Sequence, residues 1–352
     1  MKIFINARFL TQPISGVQRY GIECSRQILK LYSNVSFIAP RNIIHQDIAK
    51  ELNVSVIGRR TGHQWEQLDL PIYLARQKYP PLLNLANTAP LFYSNNFITI
   101  HDLAFYHHPE WNTKKLSAWY NILIPRIAHK SRHLFTVSNT VLGELVKWYR
   151  LPAAKISVTP NGISQKMVVA GPYSGKKEKI ILTVGTFNRR KNHQTLVAAF
   201  IRSGLGSTYE LVIIGDRNKV FAESGLDETE CKSSSIKIID TLSEDELIDM
   251  YRKAEIVASV SLYEGFGIPL LEGLFNGCKV FCSDIPAYKE VYGDVAVFCD
   301  PMDIEGMSLA LKTVTDDEAP DLSKVKGLTA KYNYGVAANS ILERIVPGYN
   351  KK

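Results

Sequence analysis

Leu262-Tyr-Glu264-Gly-Phe-Gly267-Ile-Pro269-Leu-Leu-Glu272 reads as a strand-to-helix junction, and its reading decides the fold. The apolar run Ile256–Ser259 supplies a buried strand just upstream. Pro269 suits a first helical turn, where its missing N–H has no partner to lose. Gly265 and Gly267 let backbone approach a ligand without interference from a Cβ atom. A helix that starts here points free N–H groups and the positive end of its dipole at the loop, a setting that favours phosphate. Glu264 falls in the loop and Glu272 about one turn into the helix, where carboxylates accept hydrogen bonds from hydroxyls. A strand–loop–helix unit of this kind belongs to a parallel α/β sheet.

The same alternation runs through the whole chain. Ile3–Ile5, Val35–Ala39, Val54–Ile57, Leu82–Leu85, Phe97–Ile100 and Leu134–Val137 have strand length and buried-strand composition. Helix-period segments lie between them, among them Gln18–Leu31, Gln64–Gln77 and Lys115–Ala128. The pattern then repeats, with strands at Ile180–Val184, Leu211–Ile214, Ile236–Ile239, Ile256–Ser259, Lys279–Cys282 and Val295–Cys299. Helices are expected at His193–Ile201, Glu244–Lys253, Pro269–Phe275 and Ile304–Thr313. At roughly 100–200 residues per domain, 352 residues suit two domains. The Gly-, Pro- and Lys-containing stretch Val168–Lys177 reads as their linker. The expectation is an α/β protein with two facing Rossmann-like domains, 1–170 and 171–335, whose strand ends form the site. The terminal segment 336–352 is a candidate to pack back on the first domain.

Three further stretches carry chemistry. Gly185-Thr-Phe-Asn-Arg189-Arg190-Lys191 places three cations at the carboxyl end of the strand Ile180–Val184. Guanidinium and ammonium groups there suit a diphosphate and the charge that grows on it as it leaves. Ser15-Gly16-Val-Gln18 opens a helix after the first strand, and Gly16 offers backbone N–H groups to an anion. Phe97-Ile-Thr-Ile-His101-Asp102 puts His101 at a strand end, where an imidazole can hydrogen-bond a sugar hydroxyl. His107 and His108 are adjacent and therefore face different ways, so no metal site is expected from them.

Composition limits the remaining choices. The first 160 residues hold 19 Lys and Arg against 8 Asp and Glu, an excess of 11 in a chain whose net charge is +8. The remainder is mildly acidic. An anionic partner for the first half follows: a diphosphate substrate, a membrane surface or nucleic acid. The basic residues look dispersed, with no strong aromatic-interleaved stripe, so nucleic acid is the least expected of the three. Five cysteines, Cys24, Cys231, Cys278, Cys282 and Cys299, are scattered and odd in number, and read as reduced core thiols. The chain opens with no apolar leader and holds no run of membrane-span length, so a cytoplasmic location is expected, with peripheral attachment to the inner membrane face as an extension.

Taken together, Glu264-x7-Glu272, Arg190-Lys191-Asn192, Pro160-Asn161-Gly162-Ile163, His101-Asp102, Ser138 and Gly16-Val17-Gln18-Arg19-Tyr20 resemble the retaining family-four glycosyltransferases of the GT-B fold. The likeness runs from about Ile3 to Leu311 and is strongest to bacterial mannosyl- and rhamnosyltransferase-like members that build surface polysaccharides. The resemblance implies that Glu264 holds the donor sugar and Glu272 the ribose hydroxyls. It implies that Arg190 and Lys191 grip the diphosphate, with Arg189 as the competing neighbour. Gly16 presents backbone to the same diphosphate, the backbone of Phe266, Gly267 and Ile268 lines the pocket, and Leu242 lies near the base. His101 contacts the sugar at the reacting centre. Many relatives carry an arginine directly after the glycine matching Gly185; here that position is Thr186. Metal-independent transfer with retention is implied, from a nucleotide-diphosphate sugar, GDP-mannose favoured, to a saccharide or lipid-linked oligosaccharide, with no cofactor. A sugar-nucleotide epimerase and a non-catalytic binder of anions remain as alternatives.

Overall fold

The computed structural model describes residues 1–215 and 234–350. Two compact units make up the chain: residues 1–162 with 332–352, and residues 163–331. Among the described residues, the first contains the strands β1 (Ile3–Asn6), β2 (Val35–Ala39), β3 (Ser55–Val56), β4 (Leu82–Asn84), β5 (Asn96–Ile100), β6 (His133–Thr136) and β7 (Ile156–Val158). They form one parallel sheet in the order β3-β2-β1-β4-β5-β6-β7. The short β7 lies outside the strands expected from sequence. Its three residues are only partly apolar, and pairing with β6 is what makes it a strand.

The second unit holds β8 (Glu178–Val184), β9 (Glu210–Ile214), β10 (Ile236–Ile239), β11 (Ala254–Ser259), β12 (Lys279–Ser283) and β13 (Ala296–Cys299). Its sheet is also parallel, in the order β10-β9-β8-β11-β12-β13. In each sheet the chain moves outward one way, returns to the centre and moves outward the other way. The direction switches between β1 and β4 in the first unit and between β8 and β11 in the second. The loops leaving the carboxyl ends of those two central strands diverge, and the crevice between them is where open α/β sheets take ligands.

Each sheet buries an apolar core against its helices. In the second unit Ile181, Phe187, Leu196, Phe200, Leu211, Ile213, Ile256 and Phe281 pack together, all essentially inaccessible to solvent. In the first, the helix expected at Gln64–Gln77 forms with an irregularity: a π-helical turn at Trp65–Asp69 separates Gly62–Gln64 from Leu70–Arg76. Such turns cluster at functional positions, and this one carries Glu66. The stretch read as a linker begins inside a helix, Gln165–Ala170, whose N-cap Ser164 accepts from the Met167 N–H at 3.2 Å. The C-terminal helix Tyr334–Ile345 packs on the helix Gly16–Leu31, with the Tyr334 ring edge-on to Tyr20 at 6.1 Å. Gly162 lies so close to this return segment that a Cβ would sit 2.6 Å from the Asn333 Cα. Four cysteines, Cys24, Cys278, Cys282 and Cys299, are free and buried; Cys231 lies outside the described residues.

Candidate active site

At the switch point of the second unit, the loop after β8 meets the loop after β11. The first carries Gly185–Asn188, a single turn at Arg189–Lys191, and Asn192 in the left-handed region at φ 56°. Asn188 caps that turn by accepting from the Lys191 N–H at 3.2 Å. The Asn192 amide donates to the carbonyls of Pro301 at 2.8 Å and Val260 at 3.3 Å, and the Leu262 N–H donates to the Arg190 carbonyl at 2.8 Å. These bonds stitch one loop to the other. Gly185 leaves room for the Lys191 stem, whose Cε would be 3.2 Å from an added Cβ.

The second loop closes on Gly267, at φ +94°, a conformation in which a Cβ would also fall 2.5 Å from the Tyr288 ring. The helix Ile268–Phe275 starts there with Pro269 in its first turn. The Tyr292 hydroxyl donates to the Gly267 carbonyl at 2.7 Å and holds the turn in place.

Glu264 stands where the loops converge. Its carboxylate accepts from Lys191 Nζ at 2.8 Å and has the Arg190 guanidinium at 3.9 Å. Only 10% of its side chain is exposed. Burial pushes the acid toward neutrality, but the charges of Arg190 and Lys191 and hydrogen bonds from Lys191 and Ser261 outweigh it, leaving Glu264 ionised with a pKa of about 2. Behind it, Tyr288 and Ser259 share a buried hydrogen bond of 2.7 Å. Burial first, and the Glu264 charge next, push the Tyr288 phenol far up, so it stays neutral. Two cations against one carboxylate leave a net positive pocket that suits an anion.

The other expected positions in this unit divide. Phe266 and Ile268 are buried, at 2% and 8% exposure. Leu242 is half-buried, between β10 and the helix Glu244–Lys253. Glu272 is 4% exposed and accepts from the Tyr251 hydroxyl at 2.9 Å, so its carboxylate is engaged inside the domain. The structure therefore gathers Glu264, Arg190 and Lys191 into one set, and ties Glu272 to Tyr251.

In the first unit His101 follows β5 and is 6% exposed. Its Nε2 lies 2.9 Å from the Leu85 carbonyl. A carbonyl only accepts, so the proton sits on Nε2 and Nδ1 keeps its lone pair. Burial lowers the pKa, against the opposing pull of the Leu85 carbonyl and Asp102. The Tyr20 ring packs edge-on at 4.8 Å and Asn87 accepts from the His101 N–H at 2.8 Å, so the imidazole is held neutral and fixed. Gly16 is exposed at the start of its helix, between Ser15 and Gln18, whose side-chain oxygen accepts from the Ser15 N–H at 3.2 Å.

A second polar cluster escaped the sequence reading. At the switch point between β1 and β4, Glu66 accepts from Arg8 Nε at 3.1 Å, Asn6 at 3.1 Å and Thr88 at 3.1 Å. Arg8 also donates to Thr88 at 2.7 Å, and Asn6 to Asn84 at 3.0 Å. Burial pushes the Glu66 acid up, but the Arg8 charge and a bond from His63 prevail and lower its pKa. Asn6, Arg8, Gln12, Glu66 and Thr88 line a small cavity there. The available signal was Asn6-Ala-Arg8, two polar residues at the end of an otherwise apolar strand. Among the described residues no group of histidines, cysteines and carboxylates could hold a metal ion; His107 faces Glu144 at 3.6 Å and His108 stacks on Trp111.

Comparison with known proteins places both halves. Residues 14–166 match the family model Glycosyltransferase Family 4, and residues 170–328 match Glycosyl transferases group 1. O-antigen chain mannosyltransferase B of Escherichia coli is 24% identical over 364 aligned positions, covering 93% of this chain and 94% of that one. O-antigen chain mannosyltransferase RfbU of Salmonella typhimurium is 28% identical over 253, covering 70% and 68%. The crystal structure of a glycosyltransferase from Rickettsia africae superposes with a TM-score of 0.73 at 15% identity, covering 99% of each chain. That of WaaG, a glycosyltransferase involved in lipopolysaccharide biosynthesis, does so with a TM-score of 0.70 at 12% identity, covering 99% of this chain and 100% of that one. The fold is GT-B, and the chain belongs to the glycosyltransferases, joining a Glycosyltransferase Family 4 half to a group 1 half.

Proposed function

We propose that this glycosyltransferase moves a mannosyl unit from GDP-mannose to a saccharide acceptor, lipid-linked, in the assembly of an O-antigen or a related surface polysaccharide. The observation that carries the reading is the convergence of Glu264, Arg190 and Lys191 at the β8–β11 switch point. A nucleotide-diphosphate sugar offers that site an anion for the two cations and hydroxyls for the carboxylate. The sugar and acceptor are suggested by the names of the relatives, both O-antigen chain mannosyltransferases.

In the proposed reaction the bond between the anomeric carbon and the diphosphate breaks through an oxocarbenium-like state. Arg190 and Lys191 stabilise the departing diphosphate, so a bound metal is not needed for that charge. Glu264 holds the sugar hydroxyls, the leaving phosphate takes the acceptor proton, and the new bond forms on the face the diphosphate left, with retention. His101, neutral and with Nε2 committed to Leu85, is assigned to a hydrogen bond with the sugar, Gly16 to the diphosphate, Leu242 to the base and Glu272 to the ribose after release from Tyr251. A thermal-shift comparison of GDP, UDP and dTDP sugars tests the donor: GDP-mannose should stabilise most, and a larger shift with a UDP sugar would overturn it. Anomeric NMR of the product tests retention, and turnover that survives EDTA tests metal independence. A new sugar nucleotide formed without acceptor would favour an epimerase instead.

A further inference from the structure

The loop that leaves β4, residues 85–88, lies beside His101 because β4 and β5 are neighbours in a parallel sheet and their carboxyl ends share one edge. It holds His101 at two points. The Leu85 carbonyl accepts from Nε2 at 2.9 Å, and the Asn87 side-chain oxygen accepts from the backbone N–H at 2.8 Å. Asn87 makes its contact from φ 36°. That left-handed region is one that L residues rarely enter, and asparagine is among the few that tolerate it. Strain of this kind persists only where the surroundings over-determine the backbone. Here both ends of the loop are pinned by buried polar bonds. Upstream, Asn84 accepts from Asn6 at 3.0 Å and donates to the Asn96 side chain at 3.1 Å and to the Phe97 carbonyl at 3.2 Å. Downstream, Thr88 accepts from Arg8 at 2.7 Å and donates to Glu66 at 3.1 Å. The Tyr20 ring, edge-on to the imidazole, is itself fixed by a 2.7 Å bond between its hydroxyl and Thr159.

We propose that Asn87 is a positioning residue for sugar transfer. Acting through His101, it fixes the imidazole with the proton on Nε2 and the Nδ1 lone pair offered to a sugar hydroxyl. This role rests on the assignment of His101 to the sugar made above. A hydroxyl can donate to the neutral ring at Nδ1 only while Nε2 carries the proton. The Leu85 carbonyl selects that tautomer, and the turn at Asn87 sets where the Leu85 carbonyl stands. The bond from the His101 N–H to Asn87 then ties the backbone that carries the ring to the same loop. Drift of about an ångström at a reacting centre slows catalysis far more than it disturbs folding. The Arg8–Glu66 pair gains a second consequence, because the brace of the first unit also anchors the loop that supplies the acceptors of His101. A residue that only closed the turn after β4 would lower stability when replaced and leave the imidazole unchanged.

Variants of the full chain separate the contributions. Asn87→Gly tolerates the left-handed φ but removes the side-chain acceptor, Asn87→Ala loses both, and Asn87→Asp keeps an acceptor oxygen on a side chain of the same length. His101→Gln serves as the reference and assigns the His101 signals among the eight histidines. Nitrogen-15 histidine NMR of the free protein should show His101 as a single Nε2–H tautomer in the wild type and in Asn87→Asp, and as a mixture in Asn87→Gly. Turnover is read as nucleoside diphosphate released from whichever of the GDP, UDP and dTDP sugars stabilises the protein most, with water as the acceptor. Asn87→Gly should lower kcat by about tenfold or more and leave the donor KM within about twofold. Asn87→Ala should be no faster, Asn87→Asp should recover most of the rate, and His101→Gln should fall at least as far as Asn87→Gly. Either a wild-type tautomer or a wild-type kcat in Asn87→Gly, beside a slow His101→Gln, would overturn the proposal, as would an Asn87→Asp protein as slow as Asn87→Gly. Wild-type turnover in His101→Gln would instead overturn the assignment of His101 on which the role rests.

Discussion

Both units place a buried acid and an arginine at the same topological position, the point where the strand order reverses, yet the two arrangements differ. Glu66 sits among Arg8, Asn6, Thr88 and His63, with its side chain 1% exposed. Glu264 keeps 10% exposure and faces Lys191 and Arg190, which themselves retain 14% and 21%. The first acid is enclosed by donors of its own domain and ties β1, β4 and the π-turn together. The second is held ionised beside cations that solvent, and hence a ligand, can reach. A buried ion pair at a switch point can brace a domain or hold charge ready for an anion; here the exposure of the carboxylate itself, 1% for Glu66 against 10% for Glu264, and the pair of strong cations beside Glu264 separate the two, since Arg8 at 11% is nearly as accessible as Lys191.

Mutation separates the two acids most sharply. Lys191→Ala and Glu264→Gln should each lower kcat/KM for sugar transfer by about a hundredfold or more, with a circular dichroism spectrum like that of the wild type. Near-normal turnover in both would end the assignment of this cluster to the reaction. Glu66→Gln should act on folding instead, costing about 3 kcal/mol in urea unfolding because Arg8 is left buried beside a neutral partner. A Glu66→Gln protein as stable as the wild type would remove the bracing role.

Acid offers a second handle. The Glu264 pKa falls from 4.5 in the unfolded reference to about 2 in the fold. Its contribution is therefore complete above the unfolded value and disappears as pH falls through the folded one, and it is worth up to about 3 kcal/mol. The stability gap between wild type and Glu264→Gln, read from urea midpoints, should close between pH 5 and pH 2; a gap that stays constant through that window would contradict it. Gly267→Ala comes next, at about 2 kcal/mol, since a left-handed φ and the Tyr288 ring both oppose a Cβ. Differential scanning calorimetry measures it. The smallest effect belongs to Lys237→Ala, which removes an exposed pair with Glu210 at 2.7 Å and should cost under about 1 kcal/mol. A larger loss would mean that exposure does not separate the classes of ion pair as argued.

The junction Glu264–Glu272 was legible because its chemistry is local: an apolar strand, two glycines, a proline and two acids lie within one short segment. The run Arg189-Arg190-Lys191 was legible for the same reason, and its closeness to Glu264 followed once both were placed at strand ends. Arg8 and Glu66 were not legible, because 58 residues separate them and neither has an informative neighbour beyond Asn6. Glu272 makes a contact that local reading leaves open. Its position one turn into a helix was right, but which face of that helix meets Tyr251 is set by how the helix Glu244–Lys253 packs.

Periodicity and turn chemistry in the sequence alone determined two parallel α/β halves, the order of their elements and the identity of the acidic and basic loops, since each depends on residues near one another in the chain. Tertiary structure alone decided which charges pair, which acids are buried, that His101 carries its proton on Nε2, and that Leu85 and Asn87 both hold it. Those outcomes depend on desolvation and on distances between residues far apart in the chain, which exist only after the sheets have formed and their helices have docked.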